Sequence, residues 1–416
     1  MPDLRALRLQ LSKPLKDKIR TALLIVLALL AALSVFQGVR NAIAFSQDFQ
    51  YDAAKALAMG LDPYELSKEP EKALEYPELS RFYAMFTDQG LKQKMEANQF
   101  PSLLMLLIPM TFFPPQAAKI VWCALNLLFT ALIFFLLDRT FFEGLPRYDR
   151  AVIYLLTLAG TPYRNQLGVG QHTLFSLCFF LLAVYIEKKQ PYKASANTLL
   201  VAFCLFVSYF KYTLTTPLAL YFVYKRRYKE LLLSVAGHVL LTEAAALYLD
   251  KSFMYMITAP LAVASNLASE GSMDFGVIFP GIWALAAAAV VCAVLLFMAL
   301  KLPEGAGDIL FAVLVLWSLV IVYHRIYDLF ALSCVAVVFY TDLFADRGPI
   351  RQSLMKALYV LGVFMLYFGM KLTGESPASV AFTAILYYSF TILLTYQAFG
   401  LITVKKDGQQ QDLNRR

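Results

Sequence analysis

The chain has 416 residues, 59% of them hydrophobic and only 16% charged, with a mean hydropathy of +0.60. Soluble domains carry roughly 45–50% apolar and about 25% charged residues, and no globule of this length hides so much apolar surface. A soluble enzyme, a disordered chain and a nucleic-acid module are therefore excluded. The net charge of +8 is to be read against the Lys and Arg excess of cytoplasmic loops in membrane proteins.

The pattern predicts an all-α polytopic membrane protein. A basic tail over 1–20, with Arg5, Arg8, Lys13, Lys16, Lys18 and Arg20, leads into an apolar run at 21–39. That run is long for a signal-peptide core and reads as an uncleaved anchor. A polar outer loop follows over 40–115. Within it Tyr51–Met59 and Asp88–Ala97 read as short amphipathic helices, with Pro63, Pro70 and Pro77 breaking the stretch between them. The apolar run Pro101–Phe113 is too short to span and ends in Pro114-Pro115, so it is expected to lie at the interface or re-enter.

Further spans are predicted at 116–137, 151–165, 172–186, 194–210, 212–224, 231–249, 276–300, 308–323, 329–345, 355–371 and 379–400, twelve in all with the first. This count puts every basic cluster on the cytoplasmic side: the N-terminal tail, Arg139/Arg147/Arg150, Lys188/Lys189/Lys193, Lys225/Arg226/Arg227/Lys229, Arg347/Arg351/Lys356 and the tail over 405–416. A transmembrane module over 21–345 would then be followed by C-terminal spans over 346–404, with both termini cytoplasmic. The cysteines, Cys123, Cys178, Cys204, Cys292 and Cys334, sit in apolar runs without CxxC spacing and read as buried hydrophobes. No metal centre or cofactor is expected.

Ionisable groups at membrane depth are costly and mark function, and nearly all of them fall on the outer side. Asp48, Tyr51, Asp52 and Lys55 share one helical face if a helix begins near Phe49; the bland alternative makes Asp48 an N-cap. Pro162, Arg164, Asn165, Gly170, Gln171 and His172 fill an outer turn whose glycines, Gly168 and Gly170, allow close backbone approach to a ligand. Lys211, followed by Pro217, is placed in the tight turn of a helical hairpin. Tyr323, His324, Arg325, Tyr327 and Asp328 close the ninth span; here the bland alternative is a self-neutralising Arg325/Asp328 pair. One carboxylate with two or three cations suits an anionic, lipid-borne substrate, the cations holding a phosphate and the carboxylate taking a proton from a hydroxyl.

The stretch Gln47-Asp48-Phe49-Gln50-Tyr51-Asp52-Ala53-Ala54, running on to Gly60-Leu61-Asp62-Pro63-Tyr64, resembles the opening signature of glycosyltransferase family 87. Phe100-Pro101-Ser102-Leu103 is similar to that family's aromatic-Pro-Pro-Leu segment, with Ser102 in place of the second proline. Gly170-Gln171-His172 and Lys211 with Pro217 are similar to its later motifs, and the resemblance runs from about residue 20 to 330. It implies a GT-C-like helical bundle with juxtamembrane helices in the first outer loop. It also implies a polyprenyl-phosphate sugar donor, mannose foremost, and a glycan, lipid or protein acceptor. The site would be extracytoplasmic, in a cell (inner) membrane. Asp48 would be the catalytic base, with no metal required. Tyr51, Asp52, Arg164, Gln171, Lys211, His324, Arg325 and Asp328 would bind substrate. The rival class is a multi-pass transporter or lipid flippase, but the sequence shows no repeat halves and its polar groups gather at one side instead of the midplane.

Overall fold

The structure is a computed structural model and describes residues 13–88, 90, 93–267, 274–279, 281–340, 349–373 and 377–413. The predicted basic positions Arg5, Arg8, Arg347, Arg415 and Arg416 lie outside them. The described residues form helices and no strand. Six helical stretches among them are long and apolar enough to cross a bilayer, or seven if the bent pair Thr161–Val169 and Thr173–Lys189 is one span. The chain is thus a polytopic helical membrane protein, and the rest of its apolar sequence folds as shorter or broken helices.

Side-chain contacts at two opposite ends trace the path. Helix α1 (Lys13–Ala44) starts at a basic end, where the Arg20 guanidinium lies over the Tyr148 ring at 5.0 Å. It finishes at a polar end, where Lys119 Nζ donates to Ala44 O at 3.2 Å. The outer loop follows, with α2 (Tyr51–Ala58), α3 (Pro63–Lys68), α4 (Pro70–Ala73), α5 (Pro77–Thr87) and α6 (Pro101–Leu104), the last continued by a 3₁₀ segment, Met105–Phe112. Pro63, Pro70 and Pro77 divide this stretch, as expected, into three short helices. Each opens one, because the first helical position needs no N–H donor and suits the fixed φ of proline.

The described residues of the expected helix over Asp88–Ala97 are not helical. Residues 93–98 are irregular, and the neighbouring helix, α5, ends at Thr87. Loop helices hold both ends of Pro101–Phe113: Tyr64 donates to Gln99 O at 2.7 Å and Tyr51 to Phe113 O at 2.9 Å.

Helix α7 (Pro115–Thr140) returns to the basic end, where Lys188 Nζ reaches Thr140 O at 3.0 Å. Helices α8 (Arg147–Ala159) and α9 (Thr161–Val169) climb back along α1, and α10 (Thr173–Lys189) descends after a 106° bend. Next, α11 (Ala194–Ser208) and α12 (Tyr212–Leu218) meet at Lys211. A 3₁₀ turn, Tyr209–Lys211, joins them, and Lys211 has φ −105 and ψ 65, outside the helical region. Its N–H bonds Ser176 Oγ at the top of α10, whereas Arg227 reaches Glu187 near the foot of the same helix. The chain therefore reverses at Lys211, as the sequence suggested.

Helices α13 (Leu220–Tyr224) and α14 (Tyr228–Tyr248) follow, with α14 rising to the polar end, where Lys251 meets Glu65 at 2.6 Å. An apolar helix that the sequence did not suggest, α15 (Phe253–Leu267), begins there. After α16 (Phe275–Ile278), α17 (Ile282–Lys301) descends and α18 (Gly307–Ile321) climbs from an Asp308–Lys188 ion pair of 2.9 Å.

The predicted span at 329–345 takes an unusual form. Ile326–Val335 is 3₁₀ and continues as α19 (Ala336–Tyr340). A 3₁₀ helix rises about 2.0 Å per residue against 1.5 Å for α, so this stretch covers roughly 27 Å. Its start lies at the polar end and Lys356 sits over the Tyr340 ring at its foot. Extended winding lets a short segment bridge the two ends. Helix α20 (Pro349–Thr373) rises beside it, and α21 (Pro377–Leu413) packs on α18, where Trp317 Nε1 donates to Thr395 Oγ1 at 2.9 Å.

Candidate active site

The site begins where α1 ends. Gln47–Phe49 is a 3₁₀ turn bracketed by two non-glycine residues in the left-handed region, Ser46 (φ 45) and Gln50 (φ 61). Each such residue costs of order 1–3 kcal/mol and persists only where its surroundings fix it. Ser46 is fixed through Oγ to Ala42 O at 2.7 Å and through its N–H to Gly168 O at 3.3 Å; Gln50 Nε2 donates to Glu96 O at 3.0 Å. Phe49 is buried and stacks on Trp122 at 4.9 Å, while His172 Nε2 donates to Phe49 O. The strained turn is thus locked on both sides of Asp48. This corrects two sequence expectations: α2 begins at Tyr51, so Asp48 is not on its face, and the residue that precedes it is Gln50, so Asp48 is not its N-cap.

The turn after α9 is set against α1. A Cβ on Gly168 would lie 2.9 Å from Asn41 Cβ, and one on Gly170, which has φ +71, would lie 3.0 Å from Ser46 Cβ. These glycines admit the end of α1, not a ligand as the sequence suggested. Gly170 O accepts from Trp122 Nε1 at 2.8 Å.

Gln171 is the hub. Its Nε2 donates to Asp48 Oδ2 at 3.1 Å and to Tyr327 OH at 2.8 Å. Its Oε1 accepts from His172 N at 3.0 Å and from Lys211 Nζ at 3.3 Å. Lys211 Nζ also lies 3.5 Å from Asp328 Oδ2 and 5.5 Å from the Tyr327 ring centroid. Asp328 is buried and takes the Thr173 hydroxyl on Oδ1 at 2.5 Å. The partner of Asp328 is therefore Lys211 and not Arg325. Arg325 is exposed, donates to Tyr323 OH, and with Asp48, Gln171 and Tyr327 borders a cavity of about 50 Å³.

The opposite wall is rich in carboxamides, with Gln47, Gln50, Asn98 and Gln99 beside Asp52 and Glu96. Gln50 Oε1 and Gln99 Oε1 are buried without a hydrogen-bond partner among the described residues. Burial pushes the Asp48 carboxyl above its ordinary range, against the pull of the Arg325 and Lys211 charges and the Gln171 and Tyr327 bonds. Asp52 is pushed up to about 6 by burial, although Tyr83 OH on Oδ2 at 2.7 Å and Ala53 N–H on Oδ1 at 3.0 Å oppose the shift.

Asp48, Asp52, Gln171 and Arg325 thus border one cavity, with Lys211 and Asp328 one bond behind. Three expected residues lie elsewhere. The Tyr51 ring stacks on Phe82 at 5.4 Å and its hydroxyl holds Phe113. Arg164 donates to Gln37 Oε1 at 3.2 Å and borders a separate groove with Phe368. His324 is buried with Nδ1 donating to Val322 O at 2.9 Å, and burial lowers its pKa. The sequence reading missed Tyr327 as a bridge, the Trp122 support, and Lys119, which is fully buried with its ammonium 4.2 Å from the Phe86 ring centroid. A lone cation in an apolar run was the available signal for Lys119.

Among the described residues no group of three His, Cys, Asp or Glu side chains is arranged to hold a metal ion. Neither the curated proteins nor the solved structures contain a significant match. The sequence model of glycosyltransferase family 87 matches residues 101–344, more than half of the chain and including Gln171, Lys211 and Tyr323–Asp328. It begins downstream of Asp48, whose role must therefore rest on geometry. On that match, the chain belongs to glycosyltransferase family 87 and is a membrane glycosyltransferase.

Proposed function

We propose that this glycosyltransferase moves a sugar, with mannose the leading choice, from a polyprenyl-phosphate donor to an acceptor hydroxyl, and inverts the anomeric centre. In this reading the chain crosses twelve times, both termini are cytoplasmic, and the site faces the extracytoplasmic side of the cell membrane. The Asp48 carboxylate takes the proton of the acceptor hydroxyl. The acceptor oxygen forms its bond to the anomeric carbon as the bond to the phosphate oxygen breaks, and polyprenyl phosphate leaves with the electron pair. Arg325 and Lys211 meet the charge that develops on it. Once the donor phosphate competes for Lys211, Asp328 is relieved of its partner. The step as written uses no metal ion.

One observation carries this reading: a single side chain, Gln171, bonds the candidate base on one amide atom and the candidate phosphate cation on the other. The carboxamide wall adds support, since uncharged polyhydroxylated molecules exchange hydrogen bonds with such groups. The irregular 93–99 strap lines the same cavity through Gln93, Glu96, Asn98 and Gln99 and would meet the sugar there.

The test is reconstitution of the full chain with polyprenyl-phosphate mannose and a panel of glycan and lipid acceptors. Asp48→Asn should lower turnover by about 10²–10⁴, the usual worth of a general base, with donor binding unchanged. An Asp48→Asn enzyme with near-normal turnover would remove Asp48 from the chemistry. A wild type that turns over only nucleotide sugars would remove the lipid donor.

A further inference from the structure

A second cavity, of about 920 Å³, lies at the basic end, far along the fold from Asp48. It opens between the α13–α14 turn and the α17–α18 turn, with Lys225, Arg226 and Tyr228 on one side and Leu300 and Glu304 on the other. Helix α14 begins at Tyr228 and α17 ends at Lys301, so the cavity sits where both helices leave the hydrocarbon. Its walls are of two kinds: Tyr228 and Leu300 are 48% and 56% exposed, as lipid-facing groups are, while the rim is cationic.

Two of the neighbouring cations already have acidic partners. Arg227 is taken by Glu187 and Glu230, and Lys225 leans toward Glu187 at 4.0 Å. The Arg226 guanidinium is exposed and has no partner among the described residues. Arg226 also occupies the left-handed position that ends α13, with φ 57, its own N–H on Val223 O at 3.0 Å and Arg227 N–H on Phe222 O at 2.8 Å. Glycine is the residue that suits such a position; here the backbone strain is accepted and a free cation stands at the cavity mouth.

We propose that this cavity binds the phosphate headgroup of an anionic glycerophospholipid. Arg226 and Lys225 take the phosphate, Glu304 accepts from a headgroup hydroxyl, and an acyl chain lies along Leu300 on α17. Basic recesses between membrane helices hold anionic headgroups for this reason: the cations are fixed at phosphate depth and the floor is apolar. A soluble phosphate would leave that floor facing water. The proposal is independent of the sugar-transfer chemistry.

Native mass spectrometry of the full chain, released from nanodiscs of mixed phosphatidylglycerol and phosphatidylcholine, tests it. Phosphatidylglycerol should stay bound in preference. Arg226→Gly should lower its retention roughly fivefold, the worth of one cation at a membrane surface. The melting temperature of that variant should hold or rise, because glycine relieves the left-handed strain. Arg226→Lys should keep the lipid. Equal retention of the two lipids, or wild-type retention by Arg226→Gly, overturns the proposal. So does complete displacement of the lipid by millimolar inorganic phosphate, which would make this a site for a soluble anion.

Discussion

Gln171 Nε2 lies 3.1 Å from Asp48 Oδ2, and Gln171 Oε1 lies 3.3 Å from Lys211 Nζ. An amide is suited to this position because it donates at one end and accepts at the other. Gln171→Glu keeps the shape and replaces the donor by a second carboxylate. Like charges disfavour ionisation of both, so the Asp48 pKa should rise further and the acid limb of the kcat/KM profile should move up by about 1–2 units. An acid limb left in place would mean that Asp48 does not carry it.

The wild-type profile has a direction of its own. A general base works only when ionised, and burial raises the Asp48 carboxyl above its ordinary range. Activity should therefore rise with pH through a limb above the usual carboxylate value and then level off. Initial rates between pH 4 and 8 at fixed ionic strength measure this. A profile flat down to pH 4 would rule out a base with a raised pKa.

Two carboxylates border the cavity, and they should separate by substitution. Both Asp52 oxygens are engaged, one by Tyr83 and one by the Ala53 N–H. Asn at 52 keeps both contacts, because its carbonyl takes the N–H and its amide donates to the tyrosine oxygen. Asp52→Asn should stay within about tenfold of wild type, whereas Asp48→Asn falls by about 10²–10⁴. The reverse order of the two variants would transfer the base role to Asp52.

Much of this arrangement was legible in the sequence, since hydropathy and basic clusters depend only on composition along the chain. The reversal at Lys211, the turn at Gln171 and the polar run Tyr323–Asp328 stood out as hydrophilic groups in apolar surroundings. What stayed hidden depends on tertiary contacts. Ser46 and Gln50 take left-handed conformations that neither residue type advertises, because Gly168 and Glu96 hold them there. The 3₁₀ winding of Ile326–Val335 leaves no mark in hydropathy. Arg325 and Lys211 compete for Asp328 in any sequence argument, and only the fold decides for Lys211. Tyr51 and Arg164 looked like ligands for substrate because polar groups in apolar context attract that reading; their partners are Phe113 O and Gln37.

The backbone at Gly170 offers a test of how the site is seated. Alanine there would need φ +71 and would put a Cβ 3.0 Å from Ser46 Cβ and Oγ. The conformational cost alone is about 1 kcal/mol, and the crowding adds to it. Gly170→Ala should lower the melting temperature in detergent and reduce turnover, since Ser46 anchors the turn that carries Asp48. A variant with unchanged melting and turnover would show that the α1 end and the Gln171 turn move independently.

Lys211 poses the hardest question, because it holds two jobs. Its ammonium neutralises a buried Asp328 and also lies one bond from the cavity. Removing one member of a buried pair strands the other charge and typically costs about 3–5 kcal/mol. Lys211→Met alone should therefore yield little folded protein, and its inactivity would say nothing about phosphate. The double variant Lys211→Met, Asp328→Asn removes both charges, and replacing a buried pair by neutral groups is often close to neutral for stability. It should recover expression and melting temperature while staying inactive with the lipid-phosphate donor. Recovery of both stability and turnover would confine Lys211 to holding the fold and leave the phosphate to Arg325.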